Sequence, residues 1–166
     1  MFEQGQALVY GASGICRYDG IIRQKSGNRF VSYYVLKPVY NQGSTVYVPV
    51  DNEKLVGRIR PLLSQREILD MIHGLPQAEE LRVEDEGERQ SVYREILQGG
   101  DRRKILQVVK SLHLRQSRCR QAGRKFHAVD ERLLKDAETV LHEEFAFVLG
   151  LPREQVQPFI LREMQC

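Results

Sequence analysis

Over its 166 residues the chain has no tryptophan, only three cysteines, and no apolar run near the roughly 20 residues that span a bilayer. Without tryptophan, any contact that needs an indole ring is closed to it. Cys16, Cys119 and Cys166 are an odd number with no close pair, which argues against a disulfide framework and against a CxxC metal or redox site, so reduced thiols are expected. No G-K-[ST] follows a glycine turn, which removes a P-loop. The histidines His73, His113, His127 and His142 are scattered, form no HExxH and sit at no ligand spacing from a cysteine, so no metal and no cofactor is expected. The opening MFEQGQALVYG lacks the basic-then-apolar pattern of an export signal, which points to the cytoplasm and away from a membrane.

What is present is ordinary for a folded protein: 42% hydrophobic and 28% charged residues. A net charge of +3 says little about a nucleic-acid partner, because phosphate affinity follows local clustering. Up to about Arg60 the residues alternate and favour β-branched and aromatic types, as in Ile15-Cys16-Arg17-Tyr18, Phe30 to Leu36 and Thr45-Val46-Tyr47-Val48. Turn formers separate these strands at Gly11 to Gly14, Ser26-Gly27-Asn28 and Asn41 to Ser44. The pattern predicts a small curled antiparallel sheet with at least one free edge, open to strand addition by another protein.

At Ser64 the period changes. Ser64-Gln65-Arg66-Glu67 is a capping box, and Ile68, Ile72 and Leu75 fall on one helical face that Gly74 and Pro76 end. An acidic loop, Glu79 to Glu88, leads to a second stripe at Val92, Tyr93, Ile96 and Leu97, stopping at Gly99-Gly100. Asp101 caps a third helix striped at Ile105, Val108, Val109 and Leu112. Val129, Asp130 and Leu134 match the N′, N-cap and N4 positions of a hydrophobic staple opening a long fourth helix through Ala137, Leu141, Phe145 and Val148, which Gly150 and Pro152 end. A short last helix, interrupted by Pro158, completes an all-helical domain. The expected class is α+β, with a β domain over residues 1–62 and a helical domain over 63–166.

Leu8-Val9-Tyr10-Gly11-Ala12-Ser13-Gly14 has the look of a dinucleotide-binding turn, but period two resumes after Gly14, so a hairpin turn fits better. His142-Glu143-Glu144 point around a helix without a nucleophile and read as solvated surface. Cys119 stands between Arg118 and Arg120 without a resolving partner and carries no catalytic reading. The segment from Arg102 to Lys125 differs: its 24 residues hold nine Lys or Arg and no acid. With the acids displaced to the flanks, the basic field reads as locally uncompensated and suited to phosphate, through backbone contact and shape more than base readout.

These features together resemble the CarD/CdnL family of bacterial transcription regulators, whose front domain is also similar to the polymerase-interacting module of transcription-repair coupling factors. The resemblance rests on Val9-Tyr10 with Gly14, Tyr33-Tyr34-Val35-Leu36-Lys37, Val46-Tyr47-Val48-Pro49-Val50-Asp51-Asn52 and Val56-Gly57 with Arg58 to Arg60. In the helical half it rests on Arg89, Gly100-Asp101, Val108-Val109 with Leu112, and Leu133-Leu134 with Ala137.

The resemblance implies a Tudor-like β domain adding its exposed strand to the RNA polymerase β subunit, a helical domain at the upstream edge of the opening promoter bubble, and no catalysis. Polymerase contacts then fall on Gln24, Tyr34, Val46, Tyr47, Val48 and Pro49, with Gln24 and Tyr47 standing where family members often carry arginine. DNA contacts fall on Arg89, which matches a basic contact of the family, with Arg94, Arg118, Arg120, Arg124, Lys125 and Arg132 as further candidates for the backbone. Many members wedge a tryptophan into the minor groove fourteen residues before the glycine equivalent to Gly100. That position is Glu86, an anion that repels phosphate. Two functions follow: a polymerase-bound regulator that tunes the open promoter complex, or an adaptor that docks on polymerase without appreciable DNA contact. Neither takes a small-molecule substrate.

Overall fold

The protein is described by a computed structural model covering residues 2–164; Cys166, one of the expected thiols, lies outside the described residues. Alternation with period two in the first part of the chain yields five antiparallel strands: β1 (Ala7–Tyr10), β2 (Ile15–Ser26), β3 (Arg29–Pro38), β4 (Val46–Pro49) and β5 (Ile59–Pro61). Their order across the sheet is β4-β3-β2-β1-β5. The glycine turn after β1 is a single 3₁₀ turn, Gly11–Ser13, and it feeds β2 back along β1, as a hairpin does. β2 is far longer than Ile15 to Tyr18 because a bulge absorbs Asp19 and Gly20: Tyr18 faces Leu36, and the next pair is Ile21 with Tyr34. A short helix, α1 (Glu53–Val56), capped by the Asn52 side chain, returns the chain from β4 to β5. Neither α1 nor β5 is visible as a pattern, since four and three residues span little more than one period and show no repeat.

The face turned inward buries Leu8, Cys16, Leu36 and Val48, and Phe2, Tyr18 and Tyr34 meet in a three-ring cluster at one end. Each large aliphatic side chain fully withdrawn from water contributes about 1.5–3 kcal/mol.

The helical part begins with α2 (Gln65–His73), whose capping box is complete: Ser64 Oγ accepts from Glu67 N–H, and Glu67 Oε1 accepts from Ser64 N–H. It continues with α3 (Glu86–Gly99), α4 (Arg102–Gln121), α5 (Ala128–Leu149) and α6 (Val156–Met164). Asp85 caps α3, so Glu86 and Glu88 belong to its first turn, where carboxylates suit the helix dipole, rather than to a loop. Asp101 Oδ1 accepts from the N–H groups of Arg103 and Lys104, as its position predicts. One large core joins Ile68, Ile72, Ile105, Leu141, Phe145 and Val156; another joins Tyr93, Val108, Leu112, Leu133 and Leu134.

Four expectations are corrected here. Val129 and Asp130 are not a staple and cap: α5 starts at Ala128 with His127 as N-cap, and Asp130 is turned inward to an arginine instead of onto its own N–H groups. Val92 lies off the buried stripe of α3, 37% exposed. Pro158 does not interrupt the last helix, because it occupies the first turn of α6, where its missing N–H has no intrahelical role. Nor is His142-Glu143-Glu144 solvated surface. Glu144 is 1% exposed, and Glu143 Oε1 pairs with Arg153 Nη1 at 3.3 Å.

Glu144 belongs to the seam between sheet and helices. Its Oε2 accepts from Leu63 N–H at 2.9 Å, and its Oε1 lies 3.2 Å from Arg102 Nε. Arg102 also donates to Pro61 O at 2.6 Å and to Gly100 O at 2.9 Å. Burial pushes the Glu144 carboxyl up, and Arg102 opposes that shift. Nearby, Arg60 Nε donates to Gly99 O at 2.9 Å. Gly11 has φ +43°, and a Cβ there would stand 2.5 Å from Gln98 O, so only glycine lets α3 rest on the first turn of the sheet.

Candidate functional site: a bare sheet edge and a basic helical surface

A sheet has two edges, and here they have different fates. β5 lies along the seam, where Pro61 O accepts from Arg102 and Arg60 donates to Gly99 O. β4 pairs with β3 alone among the described residues, leaving its outer side without a strand partner. Register decides which of its side chains accompany that edge. Tyr47 stands opposite Val35 and is half-exposed, its ring 6.3 Å from that of Tyr33 in an edge-to-face contact. Pro49, opposite Tyr33, and Val46, opposite Leu36, are partly exposed.

Three of the candidate contact residues point the other way, Val46 among them, since it shares the face of Val48 and packs on the same core. Val48 is completely buried and Tyr34 packs on Phe2 and Tyr18, so both contribute to the sheet's own core, and only their backbone or rim belongs to an outer surface. Gln24 lies exposed on the arm formed by β2 and β3, opposite Val31. On the opposite face of the same arm the structure adds residues that sequence reasoning missed: Ile21 and Phe30 are both more than half exposed, and the Arg23 guanidinium lies 4.6 Å from the Phe30 ring centroid. Their signal was available, since both are large apolar residues close to the polar tip Arg23 to Arg29 of the hairpin.

The basic stretch is not the uncompensated field that its composition suggests. Arg102 is buried against Glu144. Lys110 Nζ donates to the carbonyls of Leu75, Pro76 and Ala78 at 2.9, 3.1 and 2.7 Å, closing the turn after α2. Arg115 Nε faces Asp130 at 3.6 Å, and Arg118 grips Glu80 through two hydrogen bonds of 2.5 and 2.8 Å. Acids remote in sequence supply the neutralisation. The Arg118 hydrogen bonds and charge hold the Glu80 carboxyl below its ordinary value. Exposed cations remain at both ends of α4: Arg103 and Lys104 near its start, and Arg120, Arg124 and Lys125 at and beyond its last turn, where positive charge also suits the helix dipole. Arg94 and Arg132 are exposed on α3 and α5.

Arg89 is the clearest departure. It is 2% exposed, with Nη2 donating to Asp130 Oδ2 at 2.9 Å, so it sits beneath the surface instead of on it. Glu86 does not project as a wedge: it opens the first turn of α3, accepts from Gln90 Nε2 at 3.4 Å and lies 3.3 Å from His127 Nδ1. Cys16 is sealed in the sheet core, where burial pushes its thiol up to about 12 and keeps it protonated. Among the described residues no three His, Cys, Asp or Glu side chains gather at metal-binding distance, and no helix is long and apolar enough to cross a membrane.

A five-stranded antiparallel module with one bare edge, joined by a polar seam to a helical module, is an α+β arrangement of two consecutive units. The family model for the CarD-like/TRCF RID domain matches residues 2–63, and that for the CarD C-terminal domain matches residues 68–160. The chain therefore belongs to the CarD family, and is a transcription-related protein of the kind that interacts with RNA polymerase. No curated protein matches it at a significant level.

Proposed function

We propose that the protein docks on the RNA polymerase β subunit by adding β4 to a strand of that subunit, and that its helical module then reaches promoter DNA and tunes the stability of the open complex. The observation that carries this reading is the single bare edge at β4, flanked by the half-exposed Tyr47. An unpartnered row of backbone N–H and C=O groups supplies affinity, and alternate side chains supply selectivity. Tyr47 and Gln24, which the register places on one face of the sheet, are the side chains in position to do so. Contact with DNA falls to Arg120, Arg124 and Lys125, with Arg94 and Arg132 in support, and tracks phosphates rather than bases. The protein acts in the cytoplasm, without catalysis and without a cofactor.

Capture of the full chain by the isolated polymerase β lobe is the direct test. Binding that survives in wild type and is lost in Tyr47→Glu supports docking through β4; equal capture of both proteins ends it. A second reading, an adaptor that binds polymerase without appreciable DNA contact, is favoured by the internal engagement of Arg89, Arg102, Lys110 and Arg118. The two separate on salt: DNA contact makes affinity fall steeply with ionic strength, and the adaptor shows no such dependence on added DNA.

A further inference from the structure

Between the segment 80–84 and helices α3 and α4 lies a pocket of about 270 Å³. Its walls carry four arginines, Arg82, Arg89, Arg115 and Arg118, against the carboxylates of Glu80 and Glu84. The segment is held in place from both sides of one residue: Tyr93 Oη donates to Leu81 O at 2.6 Å, and Leu81 N–H donates to Ser111 Oγ at 2.8 Å. The pocket is therefore built by the fold and not by a chance meeting of surface side chains.

Arg89 gives the site its chemistry. The side chain is almost wholly buried, and only Nη2 is satisfied, by Asp130; Nε and Nη1 have no hydrogen-bond partner. Buried donors without acceptors are costly, and the wall they belong to faces the pocket. Arg115 is 3.6 Å from Asp130, too far for a hydrogen bond, which leaves its planar set of donors for the pocket. The remaining two arginines already hold an anion. Arg118 clasps both oxygens of Glu80, and Arg82 Nε reaches Glu80 Oε2 at 3.3 Å. That forked grip on two oxygens is the geometry by which guanidinium groups hold phosphate. With Asp130 behind Arg89 and Arg115, four cations face three carboxylates. With Glu80 turned out to solvent they face two, a balance that suits a divalent oxyanion.

We infer that this pocket binds a phosphate-class oxyanion, clamped by Arg82, Arg115 and Arg118 over Arg89, and that Glu80 is a built-in competitor which the ligand displaces. The site does not depend on the proposed DNA contact, which uses the outer cations. The phosphate can be a free anion or one carried by nucleic acid.

Sodium pyrophosphate titrated into the full-length protein at low salt is the test, read by calorimetry and by the side-chain Nε–H resonances of Arg115 and Arg118. Saturable binding in the millimolar range or tighter is expected. Arg115→Gln weakens it about tenfold, the worth of one charge-assisted contact, and Arg66→Gln, exposed on α2 outside the pocket, leaves it unchanged. Glu80→Gln tightens it severalfold by removing the competitor. Absence of saturable binding in both wild type and Glu80→Gln overturns the inference, as does wild-type affinity in Arg115→Gln. Neither substitution touches a buried residue, so each variant remains folded for the comparison. A short DNA duplex added to the pyrophosphate-loaded protein then separates the sources: displacement assigns the site to strand phosphate, and no displacement assigns it to a free anion.

Discussion

In the sheet, the helical module covers β5 and leaves β4 bare; in the helical module, the cations nearest the core are covered and those at the far end of α4 are left bare. Both modules thus carry one engaged and one open set of groups, but the sheet's open set was legible in advance and the helices' was not. A strand edge follows from strand order. Available charge follows from where remote acids fold to, and Glu80, Asp130 and Glu144 come from outside the segment that they neutralise. Charge density along a chain is therefore an upper bound on the charge that a partner meets.

The largest effect that sharpens this contrast concerns the covered cations. Asp130→Ala leaves Arg89 buried without its counter-ion and is expected to destabilise the fold by about 3–5 kcal/mol, measured by urea unfolding, whereas Arg120→Ala stays within about 0.5 kcal/mol. Next comes the bare edge. Tyr47→Ala is expected to lower affinity for the polymerase β lobe by about 1–2 kcal/mol while leaving the unfolding midpoint in place; an unchanged affinity would remove Tyr47 from the interface. Smaller again is the open charge: replacing Arg120, Arg124 and Lys125 together by glutamine is expected to reduce the log–log salt slope of DNA binding by about 0.9 for each phosphate that is no longer neutralised, and Arg118→Gln to change it less because Arg118 holds Glu80.

The smallest effect is in pH, and the two engaged carboxyls have opposite signs. Glu80 is depressed in the folded state, chiefly by its hydrogen bonds from Arg118, so its contribution is present above the ordinary carboxyl value of 4.5 and is lost as pH falls through its lower folded value. Glu144 is raised by burial, so its contribution is complete below 4.5 and is lost as pH rises through its higher folded value. Carboxyl carbon titration by NMR should place the two midpoints on either side of 4.5.

Local signals carried most of the fold. The Ser64 capping box, the Asp101 cap and the glycine stops at Gly100 and Gly150 each depend on residues a few positions apart, and each is where the sequence places it. Asp130 was misplaced because its partner, Arg89, is 41 residues away, and no local rule competes with a buried counter-ion. Glu144 does leave a trace in the sequence. It falls three residues after Leu141, on the same buried stripe, and a carboxylate on such a stripe asks for a cation. Of the polymerase candidates, alternation alone puts Tyr47 and Val48 on opposite faces, and the contacts of Val48 with the sheet core show which face is inward.

The contact of Gly11 with Gln98 and the hydrogen bonds that tie Arg102, Glu144 and Arg60 across the seam make the molecule a bracket of fixed reach. On the proposed reading, a partner that gripped β4 would also set where the far end of α4 lies, and a second contact there would form at a smaller ordering cost. Residues inserted between Pro61 and Leu63 would leave each surface intact yet shift one against the other, turning a measured span into a loose one.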